Sequence, residues 1–285
     1  DGTEIPGTNF DYNYLQHRKV DVVSSALDFI LPFEKYKITA GAKVSFTNTR
    51  NGINYDTSDP TLVQDDYFRY KEQIYALYAD YSREFSERFS MQLGLRMEHT
   101  RTTGISEAKD TEDKHDYTRL FPTVYLLYSP TDGHALNFSF SNRISRPSQN
   151  MVNPFPFYQN KYTYACGRED LKPSYTYNAE LGYTLKNNFN VSAYYSYSDD
   201  VFFQVVDLDA ETNVTSFLWE NFMQTHAFGL NNSYTFRTKW LQTYAQHGVS
   251  YRRTTSSAAT TSPEEKGWAY NASLRNTFFF NEKKT

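Results

Sequence analysis

Charged residues at even spacing offer the most chemistry in this chain. Arg96 and Glu98 stand two residues apart. Arg143 and Arg146 bracket the end of a later alternating segment, and Glu180 lies in the alternating segment that follows. A guanidinium beside a carboxylate makes charge-assisted, often bidentate hydrogen bonds. Such pairs either grip a ligand or neutralise charge in a wall, and the second use is the commoner one. Glu98 and Glu180 are the natural partners for these arginines. A second group is aromatic: Phe155, Phe157, Tyr158, Tyr162 and Tyr164, interleaved with Asn, Pro and Lys. Aromatic faces in a polar excursion stack on sugars or peptides, or pack against neighbouring loops, and the residue types fit both uses. A third is acidic: Asp110, Glu112 and Asp113, near His115 and Asp116, supply the oxygen donors that Ca²⁺ takes. They lack the spacing and the glycine of an EF-hand, so they read as a solvated loop.

Covalent chemistry is not indicated. The chain holds no G-x-S-x-G elbow, Walker loop or dinucleotide fingerprint. Its six histidines have no ligand-like spacing, so neither a metal, a cofactor nor an enzyme activity is expected. A single cysteine, Cys166, excludes an internal disulfide. Net charge is −4 with both signs spread along the chain, which leaves no basic stripe for nucleic acid.

The elements that must position these groups are strands. Aromatic content is 18%, with 25 Tyr and 22 Phe, yet mean hydropathy is −0.70. That pairing suits a wall with one apolar and one wet face better than a soluble core. Phe89, Met91, Leu93, Leu95 and Met97 alternate with Ser90, Gln92, Gly94, Arg96 and Glu98. A helix needs apolar residues three and four apart, whereas these are two apart. Ile38 to Phe46, Leu136 to Phe140 and Phe189 to Tyr197 repeat the pattern. The opening stretch, 1–19, reads as loop.

About eleven such segments, each roughly 9–13 residues long, match the span of a tilted transmembrane strand. Short turns at 32–35, 83–88, 129–134, 186–188 and 237–239 alternate with long excursions near 48–72, 102–119, 145–173, 199–221 and 253–266. Greek-key sandwiches do not sort loop lengths this way. The expected fold is therefore all-β, an antiparallel up-and-down transmembrane β-barrel with tight turns at one rim and external loops at the other. A cation facing lipid at the midplane costs about 2–4 kcal/mol. The face with Lys43, Arg96, Glu98, Arg143 and Glu180 is then the lumen wall, and the Leu, Phe, Met and Tyr face meets lipid. Trp240, Trp268 and Tyr270 near strand ends fit interfacial girdles.

Three motifs in order, Arg143-Ile144-Ser145-Arg146-Pro147, Asn153-Pro154-Phe155 and Leu171-Lys172-Pro173, lead into a Tyr-rich strand. With Tyr70 to Ala76 entering one strand and Leu93 to Glu98 leaving the next, they resemble the barrel of TonB-dependent outer-membrane transporters, and most closely the outer membrane protein beta-barrel family. Gly167-Arg168-Glu169-Asp170 stands where that family usually has a Gly-Asn-Pro turn. The resemblance implies a barrel portion of a Gram-negative receptor importing a nutrient. Such barrels have 22 strands, so 1–285 would be a single segment from the C-terminal half, about half a barrel, with plug domain and barrel C-terminus outside it. Implied partners are outer-membrane lipid, the plug of the same full-length protein, a periplasmic TonB-type energiser acting through that plug, and a surface lipoprotein. Nucleic acid is not among them. Two alternatives stay open: a plugless barrel acting as porin, adhesin or assembly component, and a soluble carbohydrate-binding β protein.

Overall fold

Period-two alternation becomes a single large antiparallel wall. The computed structural model describes residues 12–57, 65–258 and 261–280. Six strands come first: β1 (Tyr12–Pro32), β2 (Tyr36–Thr57), β3 (Asp66–Ser86), β4 (Phe89–Ser106), β5 (Thr111–Tyr128) and β6 (His134–Ser145). A short helix α1 (Gln149–Val152) and two small strands, β7 (Phe157–Asn160) and β8 (Thr163–Cys166), interrupt the series. It resumes with β9 (Ser174–Leu185), β10 (Phe189–Asp209), β11 (Val214–Arg237), β12 (Leu241–Ser256) and β13 (Glu264–Phe278). Eleven strands pair in chain order, with β9 following β6 in the sheet. β1 and β13 do not pair with each other, so the wall is open, a partial barrel.

Register fixes which residues share a face. Leu27, Ala42, Leu77, Met97 and Leu120 lie in one cross-strand row, and Phe29, Ala40, Ala79, Leu95 and Pro122 in the next. Their large side chains are exposed, Leu77 at 57% and Leu95 at 50%. The opposite face carries Tyr78, Asp80, Arg96, Thr123, Ser141 and Asn178. Gly41 makes room there: a Cβ on it would sit 2.6 Å from the Tyr78 ring, which lies flat across the neighbouring strand. The short turns are tight, with positive φ at Gly133 (78°), Lys186 (51°) and Asn187 (57°).

At the other rim the strands run on where the sequence reads as loop. β2 reaches Thr57 and β3 starts at Asp66, so most of 48–72 is ladder, with 58–64 outside the described residues. Between β4 and β5 only 107–110 remain of the excursion expected at 102–119, and between β10 and β11 only 210–213 of 199–221. The stretch 253–266 is likewise shortened by β12 and β13. β1 begins at Tyr12, inside the stretch read as an opening loop, and 1–11 are outside the described residues. The physical reason is common to all. Beyond the apolar belt the outer and inner faces no longer differ regularly in polarity, with Ile53, Phe68, Phe202 and Trp219 among polar residues, so alternation breaks down while backbone pairing continues.

Among the described residues 145–173 is the long excursion, and it folds against the inner face of the sheet. The buried apolar clusters lie beneath it: Phe155 on Ile53 with Phe157 beside them, and Val152 and Leu171 on Phe68. Tyr70, Met151, Phe202 and Trp219 pack around the second cluster.

Candidate functional site

The site is the in-folded segment and the inner wall it rests on. Its entry is Arg146. The Nη2 atom donates to Glu98 Oε2 at 2.5 Å and to Thr100 Oγ1 at 3.2 Å, and Nε stands 3.8 Å from Glu72. Glu98 also accepts from Arg96 Nε at 2.5 Å. Glu98 is buried at the end of the apolar belt, so the two arginines offset a carboxylate that would otherwise be costly there. Arg143 and Glu180 share this inner face but sit on different cross-strand rows, opposite Thr176 and Ser139. Neither forms an ion pair with a described residue, so Glu180 is not the partner of Arg143.

The motif residues act locally. Asn153 is buried, and its Oδ1 accepts the Phe155 amide at 3.1 Å, an Asx turn that starts the Asn-Pro-Phe bend. The Asn153 carbonyl accepts the Gly167 amide at 2.7 Å, and the Met151 carbonyl the Arg168 amide at 2.8 Å. A Cβ at Gly167 would meet backbone atoms of Asn153 and Met151 at 2.5–2.6 Å, which is why glycine stands there. Leu171 fills the apolar cluster. Lys172 is clamped through its backbone: its amide donates to Asn221 Oδ1 at 2.8 Å, and Asn221 Nδ2 donates to its carbonyl at 2.9 Å. Arg168 grips Asp170 through Nε and Nη2 (2.8 and 3.0 Å) and Glu220 through Nη1 (2.5 Å). Asp170 foremost holds the Arg168 guanidinium in its charged form.

β7 and β8 form a hairpin at the free rim. β8 pairs in parallel with β11 at Thr215–Leu218, on the edge that β12 leaves open once it ends opposite Met223. The aromatic candidates divide accordingly. Phe155 is 2% exposed and Phe157 packs against Ile53 and edge-on to Tyr14. Phe155 is thus a packing residue, and Phe157 is partly covered. Tyr158 and Tyr164 lie 5.5 Å apart, and Tyr162 is 55% exposed at the hairpin tip. Cys166 on β8 is partly covered, and burial pushes its thiol up, away from a reactive thiolate.

Beneath the segment lies a cavity of about 60 Å³ lined by Tyr70, Glu72, His115, Tyr117, Arg146 and Glu169. That volume holds a few waters. The acidic run of β5 is split by strand alternation, with Glu112, Lys114 and Asp116 on one face and Asp113 and His115 on the other. Among the described residues no three His, Cys, Asp or Glu are grouped to hold a metal ion. Asn221, Trp219 and Phe68 complete the site without any signal in the sequence, because each lies at least 48 residues from the segment residue it touches. The arrangement supplies fixed charges, amide clamps and one exposed aromatic tip, a set suited to holding and recognising.

The family model for the outer membrane protein beta-barrel family matches residues 2–285. The chain belongs to that family. Its place is accordingly the outer membrane, and the exposed apolar rows of this family member are its lipid-facing belt. Among curated proteins none has significant sequence similarity to it. Solved structures share its fold. The copper transporter OprC superposes with a TM-score of 0.62 at 12% identity, over 93% of this chain and 48% of that one. The Serratia marcescens hemophore receptor HasR, solved with its hemophore HasA and heme, gives 0.59 at 9% identity, over 96% and 55%. The ferric enterobactin receptor PfeA of Pseudomonas aeruginosa gives 0.56 at 12%, over 94% and 47%. This chain thus spans about half the length of the transporters and receptors it matches.

Proposed function

We propose that this chain forms the wall and outer rim of a TonB-dependent receptor that imports a nutrient across the outer membrane. The observation that carries the reading is an open eleven-strand wall, apolar outside and polar inside, that superposes on about half of a copper transporter and of a ferric enterobactin receptor. On this reading the plug of the full-length protein lies against the inner face, where Arg96, Arg143 and Glu180 stand. A TonB-type energiser in the periplasm acts through that plug. The strand extensions and the segment 145–173 face the cell exterior. Tyr162, with Tyr158 and Tyr164 behind it, meets the ligand by stacking.

Two measurements test this. A strain lacking the gene is screened for uptake of copper, ferric siderophores and haem with and without an intact energiser, and one energised uptake is expected to disappear. The full-length protein in planar bilayers is expected to pass no large steady current, since a plug occludes it. A steady open-pore current would support a plugless porin and overturn the receptor reading.

A further inference from the structure

The outward face of β1–β5 carries an unbalanced band of cations just beyond the apolar belt. Register sets the rows. Val23 and Phe46 share an outward row with Gln73, Arg101 and Asp116. The next row holds Asp21, Asn48, Lys71, Thr103 and Lys114. In the row after that, Lys19, Arg50 and Arg69 stand directly opposite one another on three adjacent strands, with Ile105 and Glu112 continuing it. Rows on one face are about 7 Å apart along a strand, less in height for a tilted one. The band therefore lies where headgroups begin.

Like charges directly opposite each other are destabilising, so a Lys-Arg-Arg row calls for a counter-charge, and the protein supplies too little. Asp21 takes both Arg50 (2.5 Å) and Lys19 (3.8 Å). Asp116 takes Arg101 at 2.8 Å, and Glu112 takes Lys114 at 3.0 Å. Arg69 and Lys71 have no carboxylate partner among the described residues. Arg69 rests over the Tyr67 ring at 5.7 Å, and its Nε is buried without a hydrogen-bond partner. Six cations face three carboxylates in a chain whose net charge is −4.

We propose that this band binds phosphate groups of lipid headgroups in the outer leaflet, with Arg69 and Lys71 at its centre. A guanidinium fork matches a phosphate bidentately, and a bound phosphate would relieve the repulsion among Lys19, Arg50 and Arg69. The lipid is favoured over a free anion because the band is continuous with the lipid-facing rows below it. The inference rests on the reading that the strand extensions face the cell exterior.

The test uses the full-length protein made in a Gram-negative host, as wild type and as the double variant Arg69→Glu with Lys71→Glu. Both are checked for outer-membrane fractionation and a heat-modifiable gel shift, then purified in detergent and washed. Phosphorylated glycolipid retained per protein is quantified, and rebinding is measured with purified lipopolysaccharide, phosphatase-treated lipopolysaccharide and inorganic phosphate. Four charge units change beside an anionic surface, so the folded variant is expected to retain less lipid by about tenfold or more. Phosphatase treatment is expected to weaken rebinding to the wild type, and millimolar inorganic phosphate to leave it unchanged. Equal retention by the folded variant, or equal rebinding of the treated lipid, would overturn the proposal. Competition by inorganic phosphate would overturn the lipid as its source. A wild type that neither fractionates with the outer membrane nor shifts on heating would instead overturn the membrane reading beneath it.

Discussion

Arg146 carries the largest single load at the residue scale. It enters the in-folded segment with two carboxylates beside it, Glu98 and Glu72, both more buried than itself. Removing one partner of a buried pair strands the other charge, at a cost of about 3–5 kcal/mol. Arg146→Ala is therefore expected to loosen 145–173 by about that much, read as faster amide exchange and new protease cleavage there, with the surrounding ladder unchanged. Replacing Arg146 and Glu98 together by methionine is expected to restore part of the loss, since Glu72 and Arg96 then lack their partners. If the two changes proved independent in a double-mutant cycle, the pair would not be what anchors the segment. Gly167→Ala acts on the same segment by another route. The added Cβ meets backbone rather than a movable side chain, and overpacking of this kind costs about 1–3 kcal/mol. The sequence marks Arg96 and Glu98 as neighbours because two residues on a strand share a face. It cannot say which carboxylate Arg146 meets, since that depends on how far inward the segment turns.

Whole strands are more legible in the sequence than their ends. Alternation is clean where one face meets lipid and the other water, so β4 from Phe89 to Met97 declares itself. Beyond Glu98 the same strand continues as His99 to Ser106, polar on both faces but for Ile105, and cross-strand pairing with β3 and β5 reveals it. The turns at these far ends are consequently short and depend on particular residues. At the β10–β11 turn the Asp209 carboxylate accepts from the Glu211 amide (2.8 Å) and the Thr212 hydroxyl (2.7 Å), and Asn213 takes a positive φ of 59°. The Thr212 hydroxyl first, then the Glu211 and Thr212 amides, hold the Asp209 carboxyl below the usual aspartate range. A depressed folded pKa means the turn is stabilised above the unfolded value and loses that support as pH falls through the folded one. Exchange protection at Glu211 and Thr212, corrected for intrinsic rate, is expected to drop in that acidic window. Asp209→Asn is expected to flatten the response, and an unchanged pH dependence in that variant would show that the carboxylate is not the titrating group.

For the whole molecule, the assignment of faces decides everything else: which residues meet lipid, which line the lumen, and where a ligand has access. It also has the sharpest test, because two positions on one strand fall on opposite sides of the wall. Leu95 is outward, in a row with Phe29, Ala79 and Pro122, while Gln92 is inward between Ser82 and Tyr125. They are three positions apart, so local propensity and distance from the turn are nearly the same. An arginine facing lipid near the midplane costs about 2–4 kcal/mol, whereas the inner face already carries Arg96 in contact with Glu98. Leu95→Arg is expected to reduce the heat-modifiable, outer-membrane-inserted fraction of the full-length protein severalfold, and Gln92→Arg to leave it within about twofold of wild type. Equal effects of the two would mean that both faces meet the same solvent, which no barrel wall allows.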